Sequence, residues 1–172
     1  MEKNAKTPAE TRTIMTNIVL PNETNALGNM FGGELLSRMD RAAAIAAQRH
    51  SESTVVTASV NHVSFKYPIP QGGVVVVEAK VSRAFSTSME IYCDVWLDNP
   101  ITKEKIHTNE GIYTLVAVDE FNRPIPIPKI EPETEEEKLR FDAALRRKEL
   151  SLILSGRMKP SESIELKKLF SE

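Results

Sequence analysis

Cysteine, aromatic residues and long apolar runs are all scarce in this sequence. Cys93 is the only cysteine among 172 residues, which excludes a disulfide within the chain. Its place in the run MEIYCDVWL predicts a buried strand thiol and not a nucleophile. Aromatic residues make up only 6% of the chain, so we expect a mainly aliphatic core. No apolar run approaches about 18 residues and the first residues lack an apolar signal core, which predicts a soluble, cytoplasmic protein with no membrane partner.

Several common motifs of catalysis and binding are also missing. The run GNMFGG has neither the spacing of a dinucleotide-binding fingerprint nor the Gly-Lys-Ser/Thr of a phosphate-binding loop. No Gly-x-Ser-x-Gly sequence occurs, which argues against a serine hydrolase. His50, His62 and His107 lack the spacing of metal ligands, so we expect no metal. A net charge of −2, a pI near 6.0 and scattered basic residues argue against a nucleic-acid partner.

Length and composition predict one well-packed domain with a tail. A chain of 172 residues, 41% of them hydrophobic, is long enough for one core and short for two. We predict a flexible N-terminal segment at residues 1–10, a main domain at 11–128 and a helical extension at 129–172. The proline-rich run PIPIPKIEPE predicts an extended connector before the helix of this extension. Thr134 and Glu137 have the spacing of a capping box for that helix, and Gly156 is its expected end.

The apolar pattern predicts an α+β fold with one long helix and five strands. The helix covers residues 33–50, and its alanine-rich stretch would let a sheet close tightly on it. The strand at 54–65 alternates Val56, Ala58 and Val60 with polar residues, which predicts a half-buried strand. The last four strands are long and mostly sequential, so antiparallel pairing into a curved sheet is expected. The strands are predicted at residues 11–20, 54–65, 74–85, 89–97 and 105–119.

The loop before the helix contains the residue types of an anion or carbonyl site. Gly32 and Gly33 have no Cβ and stand where the helix begins, so their amides can approach a ligand closely. Such amides suit the oxygen that becomes anionic when a carbonyl is attacked. The structural alternative is a tight turn that leads into a helix, with Asn25 and Asn29 as turn and cap residues.

Asp40 lies off the polar face of the predicted helix. That face gathers Glu34, Ser37, Arg38, Arg41 and Gln48. The small apolar neighbours of Asp40 at helical spacing are Leu36, Ala43, Ala44 and Ala47. A carboxylate among such side chains is unfavourable unless it is paired or used in chemistry. The alternative is a partly exposed acid at the edge of the apolar stripe.

Four ordered blocks of sequence resemble a known family. They are TNALGNMFGGELLSRMD, VVTASVNHVSFKYPIPQGG, SRAFSTSMEI and TLVAVDEFNRPIPIP. These blocks resemble the hotdog-fold acyl-CoA thioesterases of the cytosolic acyl-CoA hydrolase type. The resemblance implies a long central helix wrapped by a curved antiparallel sheet of about five strands. It also implies hydrolysis of acyl-CoA to free acid and CoA, with no cofactor beyond the CoA of the substrate.

The resemblance assigns expected roles to particular residues. Asp40 matches a helix acid that acts as general base or as nucleophile. Asn29, with Asn25 as second choice, matches a carboxamide that orients water or the thioester, and Gly32 or Gly33 would offer an amide to the oxyanion. A second set would contact CoA, unless its members form only an ordinary strand connection. The CoA set is Arg83, Ser86, Thr87, Ser88 and Lys66.

The resemblance further implies an oligomeric assembly, and two alternative functions must be weighed against hydrolysis. Protomers of the family join their sheets edge to edge, and three dimers form a hexamer in which Asn29 and Asp40 meet from different chains. Many relatives carry an acid where this chain has Asn61, so an electrostatic role at that position is not expected. The alternatives are an acyl-CoA-binding sensor without turnover and a hotdog dehydratase. A dehydratase is disfavoured because the site loop contains no histidine.

Overall fold

The computed structural model describes residues 4–169. The chain divides into two compact units, one up to Glu131 and one from Pro132. The first unit contains a short helix, a long helix and five strands, which confirms the predicted α+β hotdog architecture. Its elements in order are α1 (Pro8–Thr11), β1 (Thr13–Ile18), α2 (Gly32–Ser51), β2 (Thr54–Phe65), β3 (Val74–Ala84), β4 (Ser88–Asp98) and β5 (Lys105–Val118).

The five strands form one antiparallel sheet in the order β1-β3-β4-β5-β2. Strands β3, β4 and β5 pair sequentially, whereas β2 crosses to the far side of the sheet and, among the described strands, pairs with β5 alone. The strand that follows the helix therefore becomes one edge of the sheet, and β1 becomes the other.

Helix α2 packs against one face of this sheet through small side chains. The packed face of the helix is completely buried and contains Met39, Ala42, Ala43, Ala46 and Ala47. The facing residues of β4 are also completely buried and are Met89, Ile91, Cys93 and Val95. Close approach of the two elements is possible because alanine adds little volume between them. This confirms the predicted role of the alanine-rich stretch.

The prediction that β2 is half-buried was wrong. Val56 and Val60 are 44% and 47% exposed, and Ala58 between them is exposed as well. Two register shifts, between Thr57 and Ser59 and between Val60 and His62, interrupt the alternation on which the prediction relied. In addition, the strand lies at the sheet edge, where fewer elements cover it.

Residues 4–11 make defined contacts with the rest of the first unit. Lys6 pairs with the backbone of residues 129–131 through an N–H···O bond of 3.0 Å to Lys129 and one of 2.8 Å from Glu131. The buried Thr11 hydroxyl accepts a 3.0 Å hydrogen bond from the Val81 amide. The described part of the predicted flexible segment is therefore folded onto the sheet. Residues 1–3 lie outside the described residues, and the predicted boundaries of the main domain and the extension stay predictions.

The second unit is helical. Helix α3 (Glu135–Leu154) begins with the predicted capping box, in which the Thr134 hydroxyl accepts from the Glu137 amide at 3.2 Å. Gly156 follows the helix with φ of +70°, as expected for a residue that ends it. The buried Glu149 carboxylate accepts hydrogen bonds from the Ser163 hydroxyl and from the Glu165 amide, which holds the start of α4 (Ile164–Leu169). Among the described residues, no helix is long and apolar enough to cross a membrane.

Replacement of Gly73 by alanine should destabilise the first unit. An alanine Cβ would lie 2.8 Å from Leu97 Cδ1 and 2.9 Å from the backbone oxygen of Pro70. Since a backbone oxygen yields less easily than a side-chain end, we expect Gly73→Ala to lower the free energy of unfolding by about 1–3 kcal/mol. Chemical denaturation would measure it, with exposed Gln71→Ala in the same turn as the control. Equal stability of the two variants would contradict the prediction.

The single thiol should be unreactive in the folded protein. Cys93 is completely buried, as predicted. Burial, followed by the charges of Asp94 and Asp40, raises the pKa of its thiol well above the ordinary value. We expect a thiol reagent such as dithionitrobenzoate to label the native protein very slowly and to label one thiol per chain after denaturation. Fast labelling of the native protein would show that the strand opens readily.

Candidate functional site

The loop between β1 and α2 is closed on itself by Asn25. Its side-chain Oδ1 accepts hydrogen bonds from the amides of Leu27 at 2.9 Å and Asn29 at 3.2 Å, and its own amide donates to the Asn29 carbonyl at 2.8 Å. Gly28 completes the turn with φ of +71°, a region that favours glycine. Because both bonds to the side chain use Oδ1, the Nδ2 group of Asn25 remains available as a donor to a ligand.

An ion pair between a buried arginine and a half-buried glutamate ties this loop to the helix. Arg38 is only 7% exposed, and its Nη2 contacts both carboxylate oxygens of Glu23 at 2.7 Å. The Leu20 amide, and then the Arg38 guanidinium, hold the pKa of Glu23 below its ordinary value. The sequence placed Arg38 on the polar face of the helix. It is nevertheless buried there, because Glu23 lies across the loop and pairs with its guanidinium.

Two backbone amides at the start of α2 are unpaired. Phe31 occupies the cap position with no side-chain cap, so neither Asn25 nor Asn29 caps the helix. The amides of Glu34 and Leu35 donate to the Phe31 carbonyl at 3.1 and 3.2 Å. Within residues 4–169, no acceptor reaches the amides of Gly32 and Gly33. These donors carry the partial positive charge of a helix N-terminus and can bind an oxyanion.

A cavity of about 250 Å³ lies beside the helix start. It brings Asn25, Asn29 and Gly32 together with Lys66, which were all predicted site residues. The other lining residues are Met30, Leu35, Phe65, Tyr67, Pro68, Ile69 and Asn109. Its wall therefore combines apolar side chains with a comparable share of polar groups, which can orient a small molecule.

Asp40 is half-buried and is held by a residue that the sequence did not predict. The Thr57 hydroxyl on β2 donates a 2.7 Å hydrogen bond to Asp40 Oδ1. No other donor in the described part of the chain reaches this carboxylate, so Oδ2 remains open to a ligand or water. The only sequence signal for Thr57 was its place among the polar residues of an alternating strand, because the contact depends on how the helix crosses the sheet.

Asp40 and the carboxamide cavity lie apart within one protomer. Thr57 pairs with Leu115 on β5, whereas Phe65, at the cavity, pairs with Asn109. At about 3.3 Å per residue, these two places on β5 are separated by roughly 20 Å. A single chain therefore presents the predicted carboxylate and the predicted carboxamides at different ends of the same strand pair.

The predicted CoA-contacting residues also separate into two places. Arg83, Ser86, Thr87 and Ser88 lie in or beside the β3–β4 hairpin, at the Thr57 end of β5, where Ser88 pairs with Val116. The Phe85 amide donates to the Ser88 carbonyl at 2.8 Å to close this hairpin. These contacts suit the strand-connection alternative, and the CoA role stays a prediction. Lys66 lines the cavity instead, with its Nζ 3.0 Å from Glu110 Oε1.

One cluster has the residue types of a metal site. Ligand atoms of Asp94, His107 and Glu110 all lie within 4.8 Å of one another. His107 Nε2 is 3.1 Å from Asp94 Oδ1, and Glu110 contacts both the Lys66 ammonium and the Tyr92 hydroxyl. Because the lysine already supplies a positive charge to Glu110, the arrangement suits an ion-pair network on the sheet better than a cation site. The predicted absence of a metal stays a prediction.

Comparison with known proteins gives consistent matches. Residues 27–103 match the thioesterase superfamily. The Helicobacter pylori protein VdlD is 39% identical over 144 residues, which cover 84% of this chain and 82% of that protein. The crystal structure of an apo hexameric acyl-CoA thioesterase is 43% identical, with a TM-score of 0.82 over 86% of this chain and 94% of the other.

A further match is an acyl-CoA hydrolase from Staphylococcus aureus, which is 31% identical with a TM-score of 0.82 over 95% of this chain and 99% of the other. That enzyme was solved with butyryl coenzyme A and coenzyme A, and as variants in which an aspartate, a threonine or an asparagine is replaced by alanine. The agreement of sequence, fold and superfamily over most of the chain shows that this protein belongs to the hotdog-fold acyl-CoA thioester hydrolase family.

Proposed function

We propose that the protein hydrolyses acyl-CoA thioesters to a free carboxylic acid and CoA. The observation that supports this most directly is the pair of unpaired amides at Gly32 and Gly33, at the start of a helix beside a cavity lined by carboxamides. Attack on a thioester creates an oxyanion, and donors that already face its position stabilise it without reorganisation. The sequence similarity to acyl-CoA hydrolases supports the same substrate class.

The complete site would form between two protomers. Strand β2 has one unpaired edge, and its exposed valines would be covered by a second copy of the same edge. Two copies paired antiparallel about the middle of the strand place the Thr57 end of one beside the Phe65 end of the other. The Asp40 carboxylate of one protomer would then face the cavity at the helix start of the other protomer.

In this arrangement each group has one role. An amide of Gly32 or Gly33 binds the thioester oxygen, and the Asn25 Nδ2 group orients the thioester or the attacking water. Asp40 either removes a proton from that water or attacks the carbonyl carbon itself. Thr57 occupies one carboxylate oxygen and so directs the other toward the carbonyl. The thiolate of CoA leaves, and water supplies the second oxygen of the acid.

The variants of the Staphylococcus aureus hydrolase favour Asn25 over Asn29 as the acting carboxamide. The asparagine, aspartate and threonine replaced in that enzyme follow one another at the same spacing as Asn25, Asp40 and Thr57. This reverses our preference from the sequence, which ranked Asn29 first. Asn29 remains a lining residue whose backbone closes the loop.

The proposed assembly is a hexamer built as a trimer of dimers, and the proposed location is the cytoplasm. Both rest on similarity to a hexameric thioesterase and to cytosolic acyl-CoA hydrolases. No cofactor is required by the proposed reaction, because the carboxylate, water and amides supply every step. Lys66 at the cavity and the Arg83 hairpin are the proposed contacts of the CoA phosphates.

Loss of the Asp40 carboxylate should remove activity while leaving the fold intact. We expect Asp40→Asn to lower kcat/KM by at least about 10³-fold. Thr57→Val should lower kcat by about 10–100-fold, since the carboxylate would lose its orienting bond, whereas Thr57→Ser keeps the hydroxyl and should remain close to native. Release of CoA thiol from acetyl- to palmitoyl-CoA measures all three. Binding of these esters by the native protein without turnover would favour the sensor instead.

Mixed oligomers test whether the site is shared between protomers. Asn25→Ala and Asp40→Asn chains, each inactive alone, should regain activity when co-expressed, because a mixed dimer contains one site with both residues intact. Random pairing predicts about a quarter of the native activity per chain. Mixed oligomers that stay inactive would place Asn25 and Asp40 in the same protomer's site. Two Asp40→Asn chains with different tags are the control for exchange and expression.

A further inference from the structure

A buried asparagine interrupts the inward face of β5. The residues on that face are Asn109, Gly111, Tyr113, Leu115 and Ala117, and Asn109 is only 1% exposed. The other polar member, Tyr113, donates its hydroxyl to the Leu36 carbonyl at 3.2 Å. A buried carboxamide at such a position requires hydrogen-bond partners, as Tyr113 has, since burial removes its bonds to water.

Asn109 does not obtain those partners from the protein. Its Nδ2 group lies 3.4 Å from the Ser64 carbonyl, at the long limit for a hydrogen bond, and its Oδ1 has no donor among the described residues. In this orientation the Nδ2 group and not Oδ1 faces the Ser64 carbonyl, whereas the opposite orientation would place two acceptor oxygens against each other. If the carboxamide turns toward a ligand, it loses only the long bond to the Ser64 carbonyl.

Asn109 is one of the residues that line the cavity at the helix start, although its Oδ1 atom is buried and the carboxamide would have to turn to reach a ligand there. Asn25, Asn29 and Gly32 line the same cavity, so a thioester bound there would lie within reach of Asn109. The thioester group offers only acceptors. A donor close to it comes from one of two parts of an acyl-CoA: the amide N–H of the pantetheine arm nearest the sulfur, or a hydroxyl on the acyl chain.

We propose that Asn109 is a substrate-positioning residue whose Oδ1 accepts a hydrogen bond from an N–H or O–H group of the bound acyl-CoA, close to the thioester. This rests on the proposed function. The bond would form only in the complex, and it would give the buried acceptor the partner that the free protein does not supply.

The test replaces Asn109 by leucine, which has the same branched shape, a somewhat larger volume and no acceptor. Asn109→Ala, which cannot clash with its neighbours, serves if the leucine variant folds poorly. The matched control is Thr108→Val, because Thr108 is equally buried, bonds to the Val95 carbonyl at 3.2 Å and does not line the cavity. Each variant is measured by thermal unfolding and by kcat/KM on two pairs of substrates.

The first pair compares 3-hydroxybutyryl-CoA with butyryl-CoA. The second compares the N-acetylcysteamine thioester of butyrate with S-ethyl thiobutyrate, which lacks the amide. If the partner is the acyl hydroxyl, Asn109→Leu shifts the first ratio about tenfold toward the plain chain, and if it is the amide N–H, it shifts the second ratio about tenfold toward the ethyl ester. Thr108→Val should leave both ratios unchanged.

Unfolding supplies an independent readout. Asn109→Leu should leave the melting temperature unchanged or raise it, because it removes an unsatisfied acceptor, whereas Thr108→Val should lower it. Unchanged ratios in an active enzyme would overturn the role of Asn109 alone. A native protein that hydrolyses no ester from acetyl- to palmitoyl-CoA would overturn the proposed function instead.

Discussion

The close approach of helix α2 to the sheet is the constraint on which the candidate site depends. Alanines on the helix face and Gly111 on β5 permit it, since a Cβ at Gly111 would collide with the buried Met39 side chain. At this separation the Thr57 hydroxyl reaches Asp40 at 2.7 Å and the Tyr113 hydroxyl reaches the Leu36 carbonyl at 3.2 Å. A larger side chain between the layers would move the carboxylate away from β2. Packing and chemistry are therefore set by the same few small residues.

Several hydrogen-bonding groups that the fold leaves unpaired lie at the start of helix α2 and around the cavity beside it. The amides of Gly32 and Gly33, the Asn25 Nδ2 group and the Asn109 Oδ1 atom have no partner in the described chain, although the surrounding loop is closed by its own hydrogen bonds and by the Glu23–Arg38 pair. Folded proteins seldom leave a buried group such as the Asn109 Oδ1 atom unpaired without a reason. Here the rigid loop and helix hold them in place, which is the condition for donors and acceptors that act on a ligand.

The exposed edge of β2 is also linked to the candidate site. An edge strand with exposed valines invites pairing with another chain, and the antiparallel pairing of two copies exchanges the ends of the strand. This exchange would unite a carboxylate and a cavity that one chain keeps apart. Oligomerisation and catalysis would then have one structural cause, because the contact that covers the edge also completes the site.

Local patterns of the sequence determined the number of strands, the long helix, the Thr134 capping box, the burial of Cys93 and the unusual position of Asp40. Each of these depends on residues near in the chain, through alternation, helical spacing or backbone conformation. Only the tertiary structure decided that β2 lies at the edge, that Arg38 turns inward to Glu23, that Thr57 holds Asp40 and that Asn109 lines the cavity. These contacts join residues far apart in sequence. Strand order, register shifts and the crossing of the helix bring them together, and no local pattern contains that information.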